Sequence, residues 1–388
     1  MNRERAAEPA RTADHATTPF RFYDNRQKYL AFVNTCNEKS AVAQRAAQEL
    51  KHIRAMPPAI HIFDAGMGDA TVLSRLMRSM HSQAPTVPLM VVAKEISLED
   101  VRLGLEKTPD RFLEHPATVL VITNLNYSEA PRLMPRDIQS AAALNWLEVR
   151  LKGQTSHEYS EQIEELATTL AFGWQTKPSP KTGNPVYVRP SVLVVYREDH
   201  KFLLDRVIPK PGQTFENYDL IVASQPWRAR MSAKFKAERV LAPLARSLAP
   251  NGRLLVIQSY GRDPGLEIIQ KLWPDENPFQ VDRRQLLAAL KTELGREASE
   301  FSLAAPTDDK SIFRYEMHTL PTEIADRIGT STLFAAWNAA IYVNQIEDER
   351  LDEVVTKGAY LEVTQSVLQK HGGLWFNDET FVVSRRQK

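Results

Sequence analysis

The stretch His61–Leu73, HIFDAGMGDATVL, places one aspartate, Asp64, just before two glycines, Gly66 and Gly68, where an apolar run gives way to helical text. Glycines at a strand-to-helix turn let the backbone approach a ligand where a Cβ would clash. The N–H groups that open the helix have no intrahelical partner and can meet polar ligand atoms. A second acid, Glu95, ends the next apolar run in LMVVAKEIS. A carboxylate in that place can accept hydrogen bonds from the two hydroxyls of a ribose. A dinucleotide turn would want G-x-G-x-x-G, but Thr71 holds the third glycine position and Asp64 precedes the glycines, which disfavours a pyrophosphate ligand.

Other residues of interest also stand at the ends of apolar runs. Ser224-Gln225-Pro226-Trp227 follows YDLIVA, and Tyr127 comes just after TVLVIT. Three polar residues compete for the end of a third strand: Asn124 or Asn126, if that strand is Thr118–Thr123, and Asp205, if it is KFLLDRV. Asn124 is favoured because Thr118–Thr123 directly follows a helical segment. On the N-terminal helix, Tyr23 and Tyr29 are placed either to close over a ligand or to pack in the core.

These positions need a scaffold that brings strand ends together. Short apolar runs at Ile60–Asp64, Leu89–Glu95, Thr118–Thr123, Tyr218–Ser224 and Arg253–Gln258 alternate with helical text at Thr71–Met80, Ser97–Glu106 and Ala233–Ser247. That alternation is the mark of an α/β fold, a parallel sheet with helices on both faces. Between Arg136 and Pro211 the rhythm breaks: SAAALNWLEVRLKGQTSHEYSEQIEELATTLAFGW reads as helical, and SVLVVYREDHKFLLDRVIP as two strands around a turn at Glu198–His200. Long connections of this kind in α/β folds tend to be functional, and this one is expected over the ligand mouth. KSIFRYEMHTL and WFNDETFVVSR read as two terminal strands on either side of helical Ile324–Lys370. The resulting division is a disordered tail at 1–18, a helical cap at 19–56, and a main domain at 57–388 with insertions at about 136–211 and 324–370.

Composition limits what else the chain can be. Its 388 residues are 43% hydrophobic, enough for a sizeable core. The 49 basic and 48 acidic residues leave a net charge of +1, so bulk charge argues against a nucleic-acid partner. The only cysteine, Cys36, excludes an intrachain disulfide and a thiolate metal cluster, and fits a reducing compartment. No apolar run approaches the roughly 20 residues of a membrane span, and the N-terminal text has no apolar secretory core, so a cytoplasmic location is expected. The histidines lack H-E-x-x-H spacing, and neither G-x-S-x-G nor G-x-x-x-x-G-K-[ST] occurs.

DAGMGDA resembles the glycine motif of class I S-adenosylmethionine-dependent methyltransferases, and KEIS resembles their acidic second-strand motif. NYDLIVASQPW and VLAPLARSLAPNGRLLVIQSY resemble their fourth strand, next helix and fifth strand, in the same order. The resemblance covers roughly Ile60–Tyr260 without the insertion. It implies a Rossmann-like seven-stranded, mostly parallel sheet with S-adenosyl-L-methionine as cofactor. Asp64, Gly66, Gly68, Glu95 and Asn124 would bind that cofactor. SQPW also resembles the [DNS]-P-P-[YFW] motif of methyltransferases that act on planar amino groups, with Gln225 in the second place. On that likeness Ser224, Trp227 and Tyr127 are the candidate catalytic residues, and nitrogen is a candidate acceptor atom. Cys36 lies in the N-terminal helix, which excludes the cytosine-C5 class and its nucleophilic cysteine. A small-molecule acceptor is the leading reading. A nucleic-acid or protein amino-methyltransferase and a non-catalytic cofactor-binding scaffold remain open, as does oligomeric state.

Overall fold

The structure is a computed structural model that describes residues 26–180, 183–319 and 328–387. The expected tail at 1–18 and Tyr23 lie outside the described residues. Helices α1 (Arg26–Thr35) and α2 (Glu38–Ala47) come first, followed by β1 (Ile60–Asp64), α3 (Thr71–Gln83), β2 (Leu89–Lys94), α4 (Leu98–Glu106) and β3 (Thr118–Thr123). Strands β2 and β3 are apolar almost throughout because both of their faces are covered, as a central parallel strand requires.

The sheet is wider than the seven strands expected. Ten strands run in the order β10-β12-β9-β8-β1-β2-β3-β7-β4, with β11 also pairing β12. Here β8 is Tyr218–Ser224, β9 Leu248–Ser259, β10 Phe301–Ser302, β11 Ile312–Glu316 and β12 Trp375–Arg385. The parallel centre β3-β2-β1-β8-β9 is joined by antiparallel β12, and β11 and β10 are antiparallel to β12.

The additional width comes from the insertion. Its first part contains a strand, β4 (Asn145–Leu151), before helices α5 (Ser156–Glu164) and α6 (Ala167–Gly173). In NWLEVRL, Trp146 packs on one side of the sheet while Leu147, Val149 and Leu151 pack on the other. This period-two pattern was hidden beside the alanine-rich text that precedes it. SVLVVYREDHKFLLDRVIP forms one strand, not two: β7 (Ser191–Arg197) is followed by a short helix at Lys201–Leu204. Asp205 therefore ends no strand, and Thr118–Thr123 is the third strand. Strand β7 runs antiparallel to β3, and β4 runs parallel to β7. Two strands of the insertion, β4 and β7, thus widen the sheet at its edge. Among the described residues, the small antiparallel pair β5 (Thr176–Pro178) and β6 (Pro185–Tyr187) forms a second sheet apart from the main one.

Two apolar layers cover the sheet, one on each face. A third cluster joins α1 to α7 (Pro264–Leu272), α9 (Thr330–Val343) and α10 (Ala359–His371), where α8 is Arg283–Leu294. The segment Ala233–Ser247, read as one helix, is helical from Ala233 to Arg246 with a π turn at Ala237–Leu241. Among the described residues no helix is long and apolar enough to cross a membrane.

Candidate functional site

From β1 the chain proceeds outward through β2 and β3, then returns to β8 on the other side of β1. The carboxyl ends of β1 and β8 therefore flank a topological switch point, the crevice in which open α/β sheets bind ligands. Asp64 ends β1 there, and one of its oxygens, Oδ1, accepts the Gly66 N–H at 3.1 Å. The turn is pinned on both sides: Ala65 N–H donates to Val222 O at 2.8 Å and Met67 N–H to Lys94 O at 3.0 Å. Gly68 has φ +51, a left-handed value that suits glycine. A Cβ on Gly66 would meet only Ser224 O, 3.9 Å away. The space in front of Gly66 is therefore not filled by protein packing, which fits a turn shaped to receive a ligand.

Glu95 bends back over this turn. Its Oε2 accepts the Gly68 N–H at 2.8 Å, and its Oε1 accepts the N–H groups of Ile96 at 2.7 Å and Ser97 at 2.9 Å. Oε1 has used both lone pairs, while Oε2 retains one. Trp174 fixes the same loop from the insertion by donating to Glu95 O at 2.8 Å. Beside it opens a cleft of about 720 Å³ between Ile96–Arg102 and the β5–β6 pair. That size lies in the range of small-molecule sites.

Asp64, Gly66, Gly68 and Glu95 therefore come together at one turn through hydrogen bonds. Ser224 joins it through its carbonyl, which faces Gly66. Tyr127 reaches over from β3 and donates to Pro226 O at 2.9 Å, with the Lys94 ammonium 4.8 Å from its ring centroid. Burial raises the Tyr127 pKa and lowers that of Lys94. Burial also raises the Asp64 carboxyl to about 6, with Glu95 adding to the shift and the Gly66 N–H and Lys39 opposing it.

Two residues expected to face ligand do not. Asn124 is fully buried, and its amide donates to Gly173 O and Arg189 O and accepts the Ser191 N–H, so it secures the insertion to β3. Trp227 is 7% exposed and belongs to the core; its indole donates to Gln258 Oε1 at 2.9 Å and Lys236 lies over its ring. Gln225 explains the departure from a proline at its position: its φ is +48, which a pyrrolidine ring fixed near −65° cannot adopt. Its side chain spans to Ser259 and Asp378.

Lys107 and Lys94 escaped the sequence reading, whereas Tyr29, read there as closing over a ligand or packing in the core, reaches the glycine turn. Lys107 on the turn after α4 donates to Asp69 O and Oδ2 at 2.6 Å and to Thr71 Oγ1 at 2.9 Å, bracing the far end of the glycine turn. Tyr29 places its hydroxyl 3.5 Å from the position of a Gly68 Cβ, so α1 covers the turn. A lysine in an otherwise apolar strand, Lys94, was the visible signal that went unused.

No family model matches the chain, and no curated protein matches it. Among solved structures it is similar to a geranyl diphosphate methyltransferase in complex with SAM, at 10% identity over 90% of each chain with a TM-score of 0.32. It is also similar to the cyclopropane synthase MmaA2 from Mycobacterium tuberculosis, at 13% identity over 88% of this chain and 83% of that chain, TM-score 0.31. A third is a protein described as a sarcosine dimethylglycine methyltransferase from Galdieria sulphuraria, at 10% identity over 91% of this chain and 86% of that chain, TM-score 0.32. Likenesses this distant leave the chemistry to be argued from the site itself.

Proposed function

We propose that the chain is an S-adenosylmethionine-dependent methyltransferase that acts on a small-molecule acceptor. The observation that carries this reading is the carboxylate of Glu95, held by three backbone N–H groups at the end of β2 with one lone pair left on Oε2, directly against an open glycine turn. A ribose hydroxyl donating to Oε2 places the adjoining thioether chain along Gly66 and Gly68. The bound donor supplies an electrophilic methyl group on a sulfonium.

The protein's share is alignment and exclusion of water. In-line methyl displacement gains much of its rate from holding the reacting atoms in register, so no dedicated base is required. The turn is immobilised from three sides, by β8 through Val222, by β2 through Lys94 and by Lys107. Helix α1 closes it from above through Tyr29, whose ring packs on Tyr342 of α9 at 5.8 Å. The cleft of about 720 Å³ between Ile96–Arg102 and the β5–β6 pair, next to a turn that Tyr29 of α1 covers, favours a small acceptor over a polymer, and the net charge of +1 supports the same choice. Nitrogen as acceptor atom has lost its main support, because Gln225 is left-handed and Trp227 is packed inside.

The test is calorimetric titration of the full chain with S-adenosylhomocysteine, followed by incubation with S-adenosylmethionine and a metabolite extract. Binding together with a metabolite heavier by one methyl group supports the reading. Absence of binding removes it, and binding without any methylated product leaves a cofactor-binding scaffold.

A further inference from the structure

The glycine turn is flanked by two opposite charges that do not pair. Asp64 Oδ2 accepts no hydrogen bond among the described residues, while its other oxygen is taken by Gly66. Lys39, in the first turn of α2, makes no hydrogen bond among the described residues; its one ion pair is with its chain neighbour Glu38 at 3.4 Å. Its position is set from two sides. The ammonium lies 5.4 Å from the Tyr29 ring centroid, and Tyr29 carries its hydroxyl to the edge of Gly68. Helix α2 packs along α3, the helix that the glycine turn opens, and Arg75 of α3 donates to Ser40. Lys39 therefore has a fixed place relative to Gly66–Gly68. Although burial alone would lower its pKa, Glu38 and the tyrosines Tyr29 and Tyr342 hold it well above the ordinary value, so it is a cation at any working pH.

A buried carboxylate and a half-buried ammonium on either side of an open turn suit a zwitterion. Building on the donor reading above, we propose that Lys39, together with the Tyr29 hydroxyl, holds the carboxylate of the donor's amino-acid end, and that Asp64 takes its ammonium. Recognition of the donor's carboxylate then resides in the N-terminal helices, outside the sheet that carries Asp64.

The experiment compares ligands that differ only in this end, by calorimetry on the full chain. S-adenosylhomocysteine carries the zwitterion; its decarboxylated analogue keeps the amine; methylthioadenosine lacks both groups. On the unaltered protein the decarboxylated analogue is expected to bind about 10- to 100-fold more weakly than S-adenosylhomocysteine, the worth of one charge-assisted contact. Lys39→Met should impose a similar loss on S-adenosylhomocysteine and leave methylthioadenosine within about twofold, while Lys39→Arg restores most of the affinity. Equal affinity of the unaltered protein for S-adenosylhomocysteine and its decarboxylated analogue overturns the proposal whether or not Lys39→Met folds. Equal weakening of S-adenosylhomocysteine and methylthioadenosine by Lys39→Met also overturns it, with the donor reading intact. If the unaltered protein binds none of the three, the donor reading fails and the proposal falls with it.

Discussion

Replacing Glu95 with alanine tests the donor site most directly, because the structure separates two effects of the change. The first is on the fold. Three backbone N–H groups, of Gly68, Ile96 and Ser97, lose their acceptor. Each unsatisfied donor costs about 1–3 kcal/mol. Water can reach this loop from the adjoining cleft, so the low end applies and the total is about 3 kcal/mol. With an unfolding entropy of roughly 2.1 cal/mol/K per residue over 388 residues, that corresponds to a fall in Tm of roughly 4 °C. The second effect is on binding. Oε1 is saturated and Oε2 has one free lone pair, so the ligand gains one charge-assisted hydrogen bond, not two, and affinity should drop about 10- to 150-fold. Glu95→Gln sharpens the test. Its carbonyl can keep the Ile96 and Ser97 bonds, but its amide turns a donor toward Gly68 N–H and toward the ribose. It should lose as much affinity as alanine with a smaller drop in Tm. Thermal melting and titration with S-adenosylhomocysteine read both effects. Unchanged affinity in a folded Glu95→Ala protein refutes the placement of the ribose. A loss beyond about a thousandfold shows that both oxygens serve the ligand and that the backbone contacts yield to it.

Further expectations concern Asp64, Gly66 and Trp227. The folded-state pKa of Asp64, about 6, lies above its ordinary 3.8; the folded chain therefore binds the proton more tightly, and stability declines as pH rises between those values. Keeping Asp64 ionised above pH 6 costs roughly 3 kcal/mol, so Asp64→Asn should raise Tm at pH 7.5 while weakening S-adenosylhomocysteine, and a lower Tm would contradict this. Affinity for S-adenosylhomocysteine should also fall below pH 6, where Asp64 gains a proton, while that for methylthioadenosine stays level. Gly66→Val should abolish donor binding with circular dichroism unchanged, because the new side chain enters space that only Ser224 O borders; global unfolding would make the turn structural first. Trp227→Ala should cost about 3–5 kcal/mol of stability as a core truncation, with the donor Kd of the folded fraction unchanged; a selective loss of turnover at full stability would return Trp227 to the acceptor side.

The parallel centre of the fold was legible because its strands are covered on both faces, so that LMVVAK and TVLVIT stand out as unbroken apolar runs. The positions of Asp64, Gly66, Gly68 and Glu95 stood out for a related reason: the strand ends that line the switch-point crevice of such a sheet fall where an apolar run stops. Strand β4 was not legible, because an edge strand needs only half its residues apolar and NWLEVRL is also acceptable helical text. Asn124 and Trp227 were misread for want of partners. Each stands at a strand end, but each is drawn inward by groups distant in sequence, Asn124 by Gly173 and Arg189, Trp227 by Gln258 and Lys236. Gln225 shows the limit most clearly. One left-handed φ separates this turn from the proline-containing motif it resembles, and no propensity announces it.

The way Asn124 holds the insertion has an evolutionary consequence. Its one amide grips Gly173 and Arg189, the two places where the chain departs for and returns from the β5–β6 pair. With both stems fixed to the same side chain, the closing of the intervening segment is settled independently of its content. A further doubling of its length would cost only about 0.6 kcal/mol in closure entropy. The segment can therefore be lengthened, shortened or exchanged as a cassette beside the cleft while the sheet, the glycine turn and Glu95 keep their places. Divergence among descendants of this chain should accumulate there first, rewriting one wall of the cleft while the rest of the sheet stays constant.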